Sequence, residues 1–393
     1  MNNKVIFLIG TLSGGGAERV VSNLSLNLPD HIEREIVLFG EDAKIEYDYE
    51  GKITYLDRDQ PKGYINKALT FINRIKKLNY IKKQNPGIPI ISFLEYPNLL
   101  NMMTLDTKDS LVSVRNFMST KHNKGLKAFV WNISIKFFYK RAKKIIVVSK
   151  QMKKDLIENY KLPKSRIKVI YNFYPIRKIQ ELSRSRLTAV ENIIFKNPTI
   201  ITVGRFSKQK GHQHLIKSFK EVKNSVPNAQ LVILGEGETK AELINLANEL
   251  AILDSIHFLG FQENPFKYIS NSKVFVMTSY FEGFPNALAE AMACRVPIIS
   301  TDCQSGPREI LAPNDYDSSI DYDSINMEAF GVLVPDLTKS DAVEVEIKLA
   351  DAITKMLCNE NDYVHYSQKS IERVKDFDVE NVIEQWLDLI ESN

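Results

Sequence analysis

The sequence predicts an α/β protein with two doubly wound, Rossmann-like parallel sheets, and three observations support this fold class. First, 393 residues are too many for one ordinary hydrophobic core. Second, short apolar runs bounded by turn residues alternate with helical patterns, as in parallel sheets covered by helices. Third, this alternation stops over residues 172–197 and then starts again. We therefore expect two α/β domains joined near residues 175–197.

The strands and helices follow from these runs in chain order. The first half opens with the predicted strand KVIFLIG and the helical pattern AERVVSNLSLNL. Later strands of this half are REIVLFG, PIISFL, SLVSVRN, KKIIVVS and RIKVIYN, with helical patterns near residues 63–84 and 124–160. Those of the second half are PTIITVGR, QLVILGEG, IHFLG, SKVFVMTS and VPIIST, separated by segments such as HLIKSFKEV and KAELINLANEL.

The domain boundaries follow from the same pattern. We expect an N-terminal domain at residues 1–175, a linker at 176–197 and a C-terminal domain at 198–375. The tail is helical from about residue 338, and its last helix, at 376–393, is expected to return to the N-terminal domain. Open α/β sheets bind ligands at the carboxyl ends of their strands, so we expect the two sheets to face a central cleft.

Charge is distributed unevenly along the chain. Residues 61–180 contain 26 Lys and Arg but only 5 Asp and Glu, whereas residues 181–393 contain 20 basic and 32 acidic residues. This asymmetry predicts a polyanionic partner for the N-terminal half, either a nucleic acid or an anionic membrane surface. No RNA-binding sequence signature is present, so we expect no nucleic acid partner.

One basic segment combines this charge with large apolar side chains. KGLKAFVWNISIKFFYKRAKK, at residues 124–144, has the composition of an interfacial helix, although a core-packed helix with a basic outer side is the equal alternative. We find no signal peptide pattern and no apolar run of membrane-spanning length. The three cysteines fit neither a zinc ribbon nor a disulfide framework. The predicted location is cytoplasmic and peripheral, on the inner face of the cell membrane.

Glycines follow the first predicted strand. Ser13 and Gly14 to Gly16 precede a helix that opens with Ala17 and Glu18, where backbone amides can approach an anion. The loop is neither a P-loop nor a dinucleotide fingerprint. A tight strand-to-helix turn without a ligand would have the same sequence, so this loop is a weak signal by itself.

Two further signals lie in the second half. Gly204-Arg205 and Lys210-Gly211 follow a predicted strand, where an arginine and a lysine can grip a diphosphate. In SYFEGFPNALAEAMACRVPIIS, Glu282 is predicted in a loop, and Glu290, two turns later, inside the helix that follows. The loop carboxylate is suited to sugar hydroxyls and the helix carboxylate to a ribose diol, while a solvated surface charge is the ordinary alternative for either one.

In combination these segments resemble the glycosyltransferase family 4 (group 1) enzymes of GT-B fold, among them transferases of bacterial surface polysaccharides and polyprenyl-diphosphate-linked glycans. The resemblance spans about residues 5–335 and rests on the two glutamates within EGFPNALAEAMA and on the Gly-Arg plus Lys-Gly element. It implies a metal-independent, retaining transfer of a hexose or N-acetylhexosamine from a UDP-sugar to a lipid-linked or cell-surface glycan precursor. It implies no cofactor, catalytic roles for Arg205, Lys210 and Glu282, and donor contacts from Gly15, Gly16, Gly204, Gly283, Phe284, Asn286 and Glu290.

One departure from the family pattern concerns the histidine that many members carry after the fourth strand of the first domain. This chain has Arg115 and Asn116 in the corresponding run, and His122 is a weaker substitute. We assign no general base, and regard Arg115 as a phosphate or acceptor contact. A nucleotide-sugar epimerase, or a non-enzymatic nucleotide-sugar or RNA-binding protein, stays an alternative at this stage.

Two motifs imitate metal sites. Asp315-Tyr-Asp317 and Asp321-Tyr-Asp323 lie in an acidic segment that reads as a solvated loop, because a hard cation needs several convergent oxygens. His212 and His214 are two residues apart at a helix start, and so point to different faces. We therefore predict no metal site.

Overall fold

The structure is a computed structural model that describes residues 3–57, 64–121, 126–314 and 323–392. The chain forms two compact units, one of residues 1–173 with 379–393 and one of residues 174–378. Each unit contains a seven-stranded sheet flanked by helices. Within the described ranges, no helix is long and apolar enough to cross a membrane.

The first unit is a fully parallel, doubly wound sheet. Its strand order is β3-β2-β1-β4-β5-β6-β7, in the numbering that follows. Its elements are β1 (Lys4–Leu8), α1 (Gly16–Asn27), β2 (Glu33–Gly40), β3 (Lys52–Asp57), α2 (Tyr64–Gln84), β4 (Ile90–Phe93), α3 (Glu95–Met102), β5 (Ser110–Val114), α4 (Met118–Lys121), α5 (Leu126–Phe138), β6 (Lys144–Val147), α6 (Lys150–Glu158) and β7 (Ile167–Val169).

Alternation of side chains along the central strand produces a core on each face of this sheet. On β1, Phe7 belongs to one apolar cluster and Ile6 to the other. The first cluster includes residues of the last helix of the chain, Val379–Glu391, whose Trp386 is fully buried and stacks on Phe93 with ring centroids 6.1 Å apart. The C-terminal helix therefore completes the core of the N-terminal unit.

The second unit contains a mixed sheet that is parallel except at one edge. Its strand order is β10-β9-β8-β11-β12-β14-β13, and only the β13–β14 pair is antiparallel. Its elements, and the final helix, are α7 (Ile176–Ser183), α8 (Ala189–Phe195), β8 (Thr199–Val203), α9 (His212–Ser225), β9 (Gln230–Leu234), α10 (Lys240–Glu249), β10 (Ile256–Gly260), α11 (Phe266–Ser270), β11 (Val274–Met277), α12 (Asn286–Ala293), β12 (Ile298–Thr301), α13 (Pro307–Leu311), β13 (Asn326–Glu328), β14 (Gly331–Val334), α14 (Ala342–Cys358), α15 (Glu360–Val374) and α16 (Val379–Glu391).

The segment expected to link the domains is largely helical. Residues 176–197 contain α7 and α8 and belong to the second unit. The start of α8 is fixed by a capping box, in which the Thr188 hydroxyl accepts from the Glu191 amide and the Glu191 carboxylate accepts from the Thr188 amide.

Both sheets reverse their winding at a central strand. In the first unit β1 lies between β2 and β4, and in the second β8 lies between β9 and β11. The adjacent strands at this point are β1 and β4 in the first sheet and β8 and β11 in the second. The loops that follow the two strands of each pair turn to opposite faces of the sheet, which opens a crevice at the carboxyl ends of the strands. In the second unit this crevice lies between the loop after β8 and the loop after β11.

Candidate active site

The crevice of the second unit brings together Lys210 and Glu282, which are 72 residues apart in sequence. Lys210 ends the loop after β8, and Glu282 lies in the loop after β11. Lys210 Nζ is 2.7 Å from Glu282 Oε1, and the exposed fractions of the two side chains are 24% and 9%. A lysine ammonium has three hydrogens, so this ion pair leaves two of them for an anionic ligand.

The Ser279 hydroxyl fixes the same carboxylate oxygen. Its Oγ is fully buried and donates to Glu282 Oε1 at 2.6 Å. The neighbouring Thr278 hydroxyl donates to the Lys210 carbonyl at 3.0 Å. Two hydroxyls at the end of β11 therefore hold both members of the ion pair, which keeps the lysine charge in one position before any ligand binds.

Close packing of the two loops explains why glycines lie here. Gly211 has φ +61°, and a Cβ on it would lie 2.2 Å from the Thr278 carbonyl oxygen. The three atoms nearest to a Cβ on Gly204 would all belong to the Lys210 side chain, at 3.4 to 3.6 Å. Gly211 thus permits the close approach, whereas Gly204 lies along the lysine stem.

Burial fixes the protonation of the histidine that follows. His212 is 2% exposed, and its ring packs edge to face on Phe206 with centroids 5.5 Å apart. Burial, and to a smaller extent the charge of Lys210, lowers the pKa of His212 to about 4. The imidazole beside Lys210 is therefore neutral near pH 7 and adds no charge to the site.

Glu290 and the residues before it lie on and around α12. The Glu290 side chain is buried at 5% exposure, one turn into the helix that Asn286 begins. Asn286 Oδ1 accepts from the Tyr174 hydroxyl at 2.7 Å, and the Gly283 carbonyl accepts from Ser305 Oγ at 3.0 Å. A buried carboxylate is not the solvated surface charge that is usual for a glutamate.

Phe284 is also packed in place, and Arg205 is not. The Phe284 ring meets that of Phe377 edge to face, with centroids 5.3 Å apart. Arg205 is 76% exposed, and its Nη2 lies 3.3 Å from an oxygen of the exposed Glu238. The structure pairs Lys210 with Glu282 but leaves Arg205 at the surface, where its long side chain is free to reorient on ligand binding.

In the first unit, Gly15 and Gly16 lie at the start of α1, as the glycine loop predicts. Gly15 is the N-cap residue, and a Cβ there would lie 2.0 Å from Glu18 Oε2. Burial raises the pKa of the Glu18 carboxyl. The absence of a side chain at Gly15 therefore makes room for a carboxylate of the same helix turn, which is a local reason for this glycine.

Arg115 is buried among aromatic rings after β5. Its Nη1 donates to Asn172 Oδ1 at 2.5 Å, and its guanidinium lies 5.2 Å from the Phe93 ring centroid. Asn116 donates to Glu95 Oε1 at 2.9 Å, across the end of β4. His122 lies outside the described residues.

The two Asp-Tyr-Asp motifs that resemble metal sites lie almost entirely outside the described residues. Asp315, Asp317 and Asp321 lie outside the described residues, and Asp323 is at their edge. Among the residues that are described, no three His, Cys, Asp or Glu side chains converge to hold a metal ion.

Sequence reasoning missed Thr278 and Ser279 as parts of the site. Both directly follow a buried strand, in the run SKVFVMTS, and precede Glu282 by a few residues. Small hydroxyl residues at a strand end beside a functional carboxylate are the signal that points to them.

Comparison with known proteins finds two family models that together match most of the chain. The family model described as Glycosyltransferase Family 4 matches residues 14–178, and the model of Glycosyl transferases group 1 matches residues 183–373. An uncharacterized glycosyltransferase of Methanocaldococcus jannaschii is 39% identical over 289 residues, which cover 71% of this chain and 70% of the relative.

A second relative and a solved structure agree with this match. The N-acetylgalactosamine-N,N'-diacetylbacillosaminyl-diphospho-undecaprenol 4-alpha-N-acetylgalactosaminyltransferase of Campylobacter jejuni is 32% identical over 333 residues, covering 82% of this chain and 87% of that enzyme. The crystal structure of Anabaena HepE in complex with UDP and glucose superposes with a TM-score of 0.73 at 16% identity, covering 100% of both chains.

Proposed function

We propose that this chain, which belongs to the family 4 glycosyltransferases of GT-B fold, is a retaining enzyme that moves a hexose or N-acetylhexosamine from a UDP-sugar to a lipid-linked or cell-surface glycan precursor. The observation that carries the proposal is the partly buried Lys210–Glu282 ion pair at the switch point of the second sheet. A positive charge held there by two hydroxyls is suited to a diphosphate that becomes a leaving group.

The chemistry follows from where charge develops. When the bond between the anomeric carbon and the diphosphate oxygen breaks, negative charge grows on that oxygen. The Lys210 ammonium, fixed by Glu282 at 2.7 Å, stabilises it without reorganisation, and Arg205 adds a second cation. Because these two side chains supply the positive charge, the proposal needs no metal ion.

The remaining groups bind the donor. We assign Glu290 on α12 to the ribose hydroxyls, and Glu282 Oε2 to a hydroxyl of the donor sugar. Backbone amides of Gly283, Phe284 and Asn286 lie beside that carboxylate in sequence and are assigned to the sugar and phosphates. Gly204, Gly15 and Gly16 are assigned to close backbone approaches to the donor or acceptor.

The choice of substrates draws on the relatives. The Campylobacter jejuni relative is named for transfer of N-acetylgalactosamine to an undecaprenyl diphosphate-linked sugar. Anabaena HepE was crystallised with UDP and glucose. A UDP-sugar donor and a polyprenyl diphosphate-linked acceptor are therefore the first pair to test.

The experiment is a transfer assay with a panel of UDP-sugars and a prenyl diphosphate-linked sugar acceptor. We expect UDP release that depends on the acceptor, a product with the anomeric configuration of the donor, and unchanged turnover in EDTA. Interconversion of UDP-sugars without an acceptor would favour an epimerase instead. Loss of turnover in EDTA, restored by manganese or magnesium, would contradict metal independence.

A lipid-linked acceptor also requires contact with a membrane, and α5 offers a surface for it. Val130, Ile133 and Phe137 lie on one face of this helix and are 56%, 49% and 67% exposed. Lys136 and Lys140 are exposed nearby, while Ile135 is buried on the opposite face of the helix and Tyr139 is buried directly after it. We therefore propose that α5 docks the first unit on the anionic cytoplasmic leaflet.

A further inference from the structure

A buried chain of hydrogen bonds reaches the candidate active site from α14. We propose that His214, held by Glu346, is a positioning residue that fixes Tyr280 and through it the pairing of Lys210 with Glu282. The proposal rests on the proposed function only where it gives that ion pair a role in turnover. The loop geometry that it explains is independent of any substrate.

The chain of contacts is short, and two of its members, His214 and Glu346, are buried. Glu346 Oε1 on α14 lies 2.6 Å from His214 Nδ1 on α9, and His214 Nε2 lies 2.7 Å from the Tyr280 hydroxyl. The His214 and Glu346 side chains are 7% and 10% exposed. Lys217 Nζ lies 3.3 Å from the same Glu346 oxygen and balances its charge.

Chemistry fixes the direction of these hydrogen bonds. An ionised carboxylate only accepts, so His214 Nδ1–H donates to Glu346. The Gln213 amide nitrogen, which can only donate, lies 3.2 Å from His214 Nε2, and the Tyr280 hydroxyl, which can donate or accept, lies 2.7 Å from the same nitrogen. His214 Nε2 is therefore an acceptor, and the Tyr280 O–H donates to it.

Tyr280 in turn ties the two active-site loops together. Its backbone N–H donates to the Gln209 carbonyl at 2.9 Å, and Gln209 Nε2 donates to the Phe281 carbonyl at 2.8 Å. Gln209 directly precedes Lys210, and Phe281 directly precedes Glu282. These two contacts thus join the residue before Lys210 to the two residues that directly precede Glu282.

Fixing Tyr280 therefore fixes the distance between Lys210 and Glu282. Without the hydroxyl-to-imidazole bond, the tyrosine ring loses its anchor to α9 and α14, and the backbone bond to Gln209 is free to lengthen. Misplacement of a catalytic group by 1 Å can cost about 100-fold in rate, so a partial loss of this anchor is expected to lower turnover about tenfold.

The test compares two tyrosine-to-phenylalanine changes within one unit. Tyr280→Phe removes only the oxygen that contacts His214. Tyr366→Phe is the matched control, because Tyr366 lies in the same unit, is buried, and donates its hydroxyl to the backbone carbonyl of Glu328 at 3.2 Å. Glu346→Gln disturbs the same chain at its other end.

Two measurements are made on the full chain. Amide hydrogen exchange follows residues 207–211 and 278–283 with and without UDP, and steady-state kinetics use the UDP-sugar that the wild-type chain turns over fastest. We expect Tyr280→Phe and Glu346→Gln to speed exchange in both segments and to lower kcat about tenfold with less than a twofold change in acceptor KM. Tyr366→Phe should change neither quantity.

The outcomes separate this inference from the proposed function. Unchanged exchange at residues 207–211 in Tyr280→Phe would overturn it, as would a fall in kcat equal to that of Tyr366→Phe. If no UDP-sugar is turned over by the wild-type chain, the proposed function fails, while the exchange comparison still decides whether His214 positions the loops.

Discussion

At the residue scale, Lys210 and Arg205 carry the positive charge of the proposed site but differ in how they are held. Lys210 is fixed by Glu282, whereas Arg205 is exposed beside Glu238. We predict that Lys210→Ala and Arg205→Ala each lower turnover at least tenfold with the fold intact, because a charged contact to the leaving diphosphate contributes over about 1.4 kcal/mol. The measurement is kcat with saturating donor.

The control for this pair is Lys208→Ala, which removes an exposed lysine from the same loop. Its turnover should stay within about twofold of the wild type, since surface substitutions away from a site change little. Near-wild-type turnover in both Lys210→Ala and Arg205→Ala would refute the site assignment.

His212 provides a pH-dependent test of burial beside the lysine. Its pKa is 6.5 in the ordinary case and about 4 in the fold, so the unfolded chain binds the proton first as the pH falls. The contribution of the neutral His212 to the free energy of unfolding is therefore fully present above pH 6.5, and up to about 3 kcal/mol of it is lost as the pH falls towards 4. Urea unfolding at pH 7 and 4.5 should show a smaller loss in His212→Phe than in wild type.

The exposed His365 supplies the comparison for that measurement. His365→Phe should keep the wild-type loss of stability between the two pH values. If His212→Phe loses as much stability as wild type, the imidazole is not held neutral by the fold.

At the element scale, the approach of the loop after β8 to the end of β11 depends on Gly211. An alanine there must adopt φ +61° and place its Cβ 2.2 Å from the Thr278 carbonyl oxygen. We predict that Gly211→Ala lowers the free energy of unfolding by more than about 2 kcal/mol, the upper cost of a left-handed residue alone. The comparison is Gly260→Ala, at φ +72°, which meets only the end of the Glu236 side chain.

Equal destabilisation by the two glycine substitutions would mean that backbone strain alone acts at Gly211. A larger loss in Gly211→Ala, measured by urea unfolding, would instead place the cost in the clash with the carbonyl. Since that carbonyl belongs to the segment that also holds Lys210, the substitution should lower turnover too.

The sequence predicted most central strands of both sheets, because their apolar runs are buried on both faces. It did not predict β3 or the β13–β14 pair. The β3 sequence KITYLD has no continuous apolar run, because only Leu56 of this strand is fully buried and the other positions need not be apolar. None of the three residues of β13 is buried, so no apolar run marks this strand, whereas the run GVLV of β14 is buried throughout and was overlooked.

The charged residues of the candidate site could be proposed from the sequence, but Thr278, Ser279 and the contacts between the residues could not. The motifs identified Lys210 and Glu282 separately. Their pairing depends on β8 and β11 being neighbours in the sheet, and the local periodicity of a sequence does not determine strand order. The role of His214 was hidden for the same reason, since its partners are 66 and 132 residues away. Long-range order in the sheet creates these contacts.

At the scale of the whole molecule, the excess of 21 positive charges in residues 61–180 predicts binding to an anionic membrane. Each Lys or Arg near an anionic leaflet contributes up to about 1 kcal/mol, screened by salt. Insertion of the exposed Ile133 and Phe137 into the headgroup region adds a hydrophobic contribution to binding, which salt does not screen. We predict that the full chain floats with anionic vesicles at low salt, and less with neutral vesicles or at high salt.

The variants of this experiment separate α5 from the rest of the basic surface. Lys136→Glu with Lys140→Glu should reduce flotation on anionic vesicles, and Ile133→Ser with Phe137→Ser should reduce what remains at high salt. Reversal of the exposed Lys196 and Lys355, which lie in the second unit and outside residues 61–180, is the charge-matched control and should leave flotation unchanged. Equal recovery on neutral and anionic vesicles would contradict electrostatic docking. Equal effects of the two lysine pairs would mean that net charge, rather than the face of α5, holds the protein on the membrane.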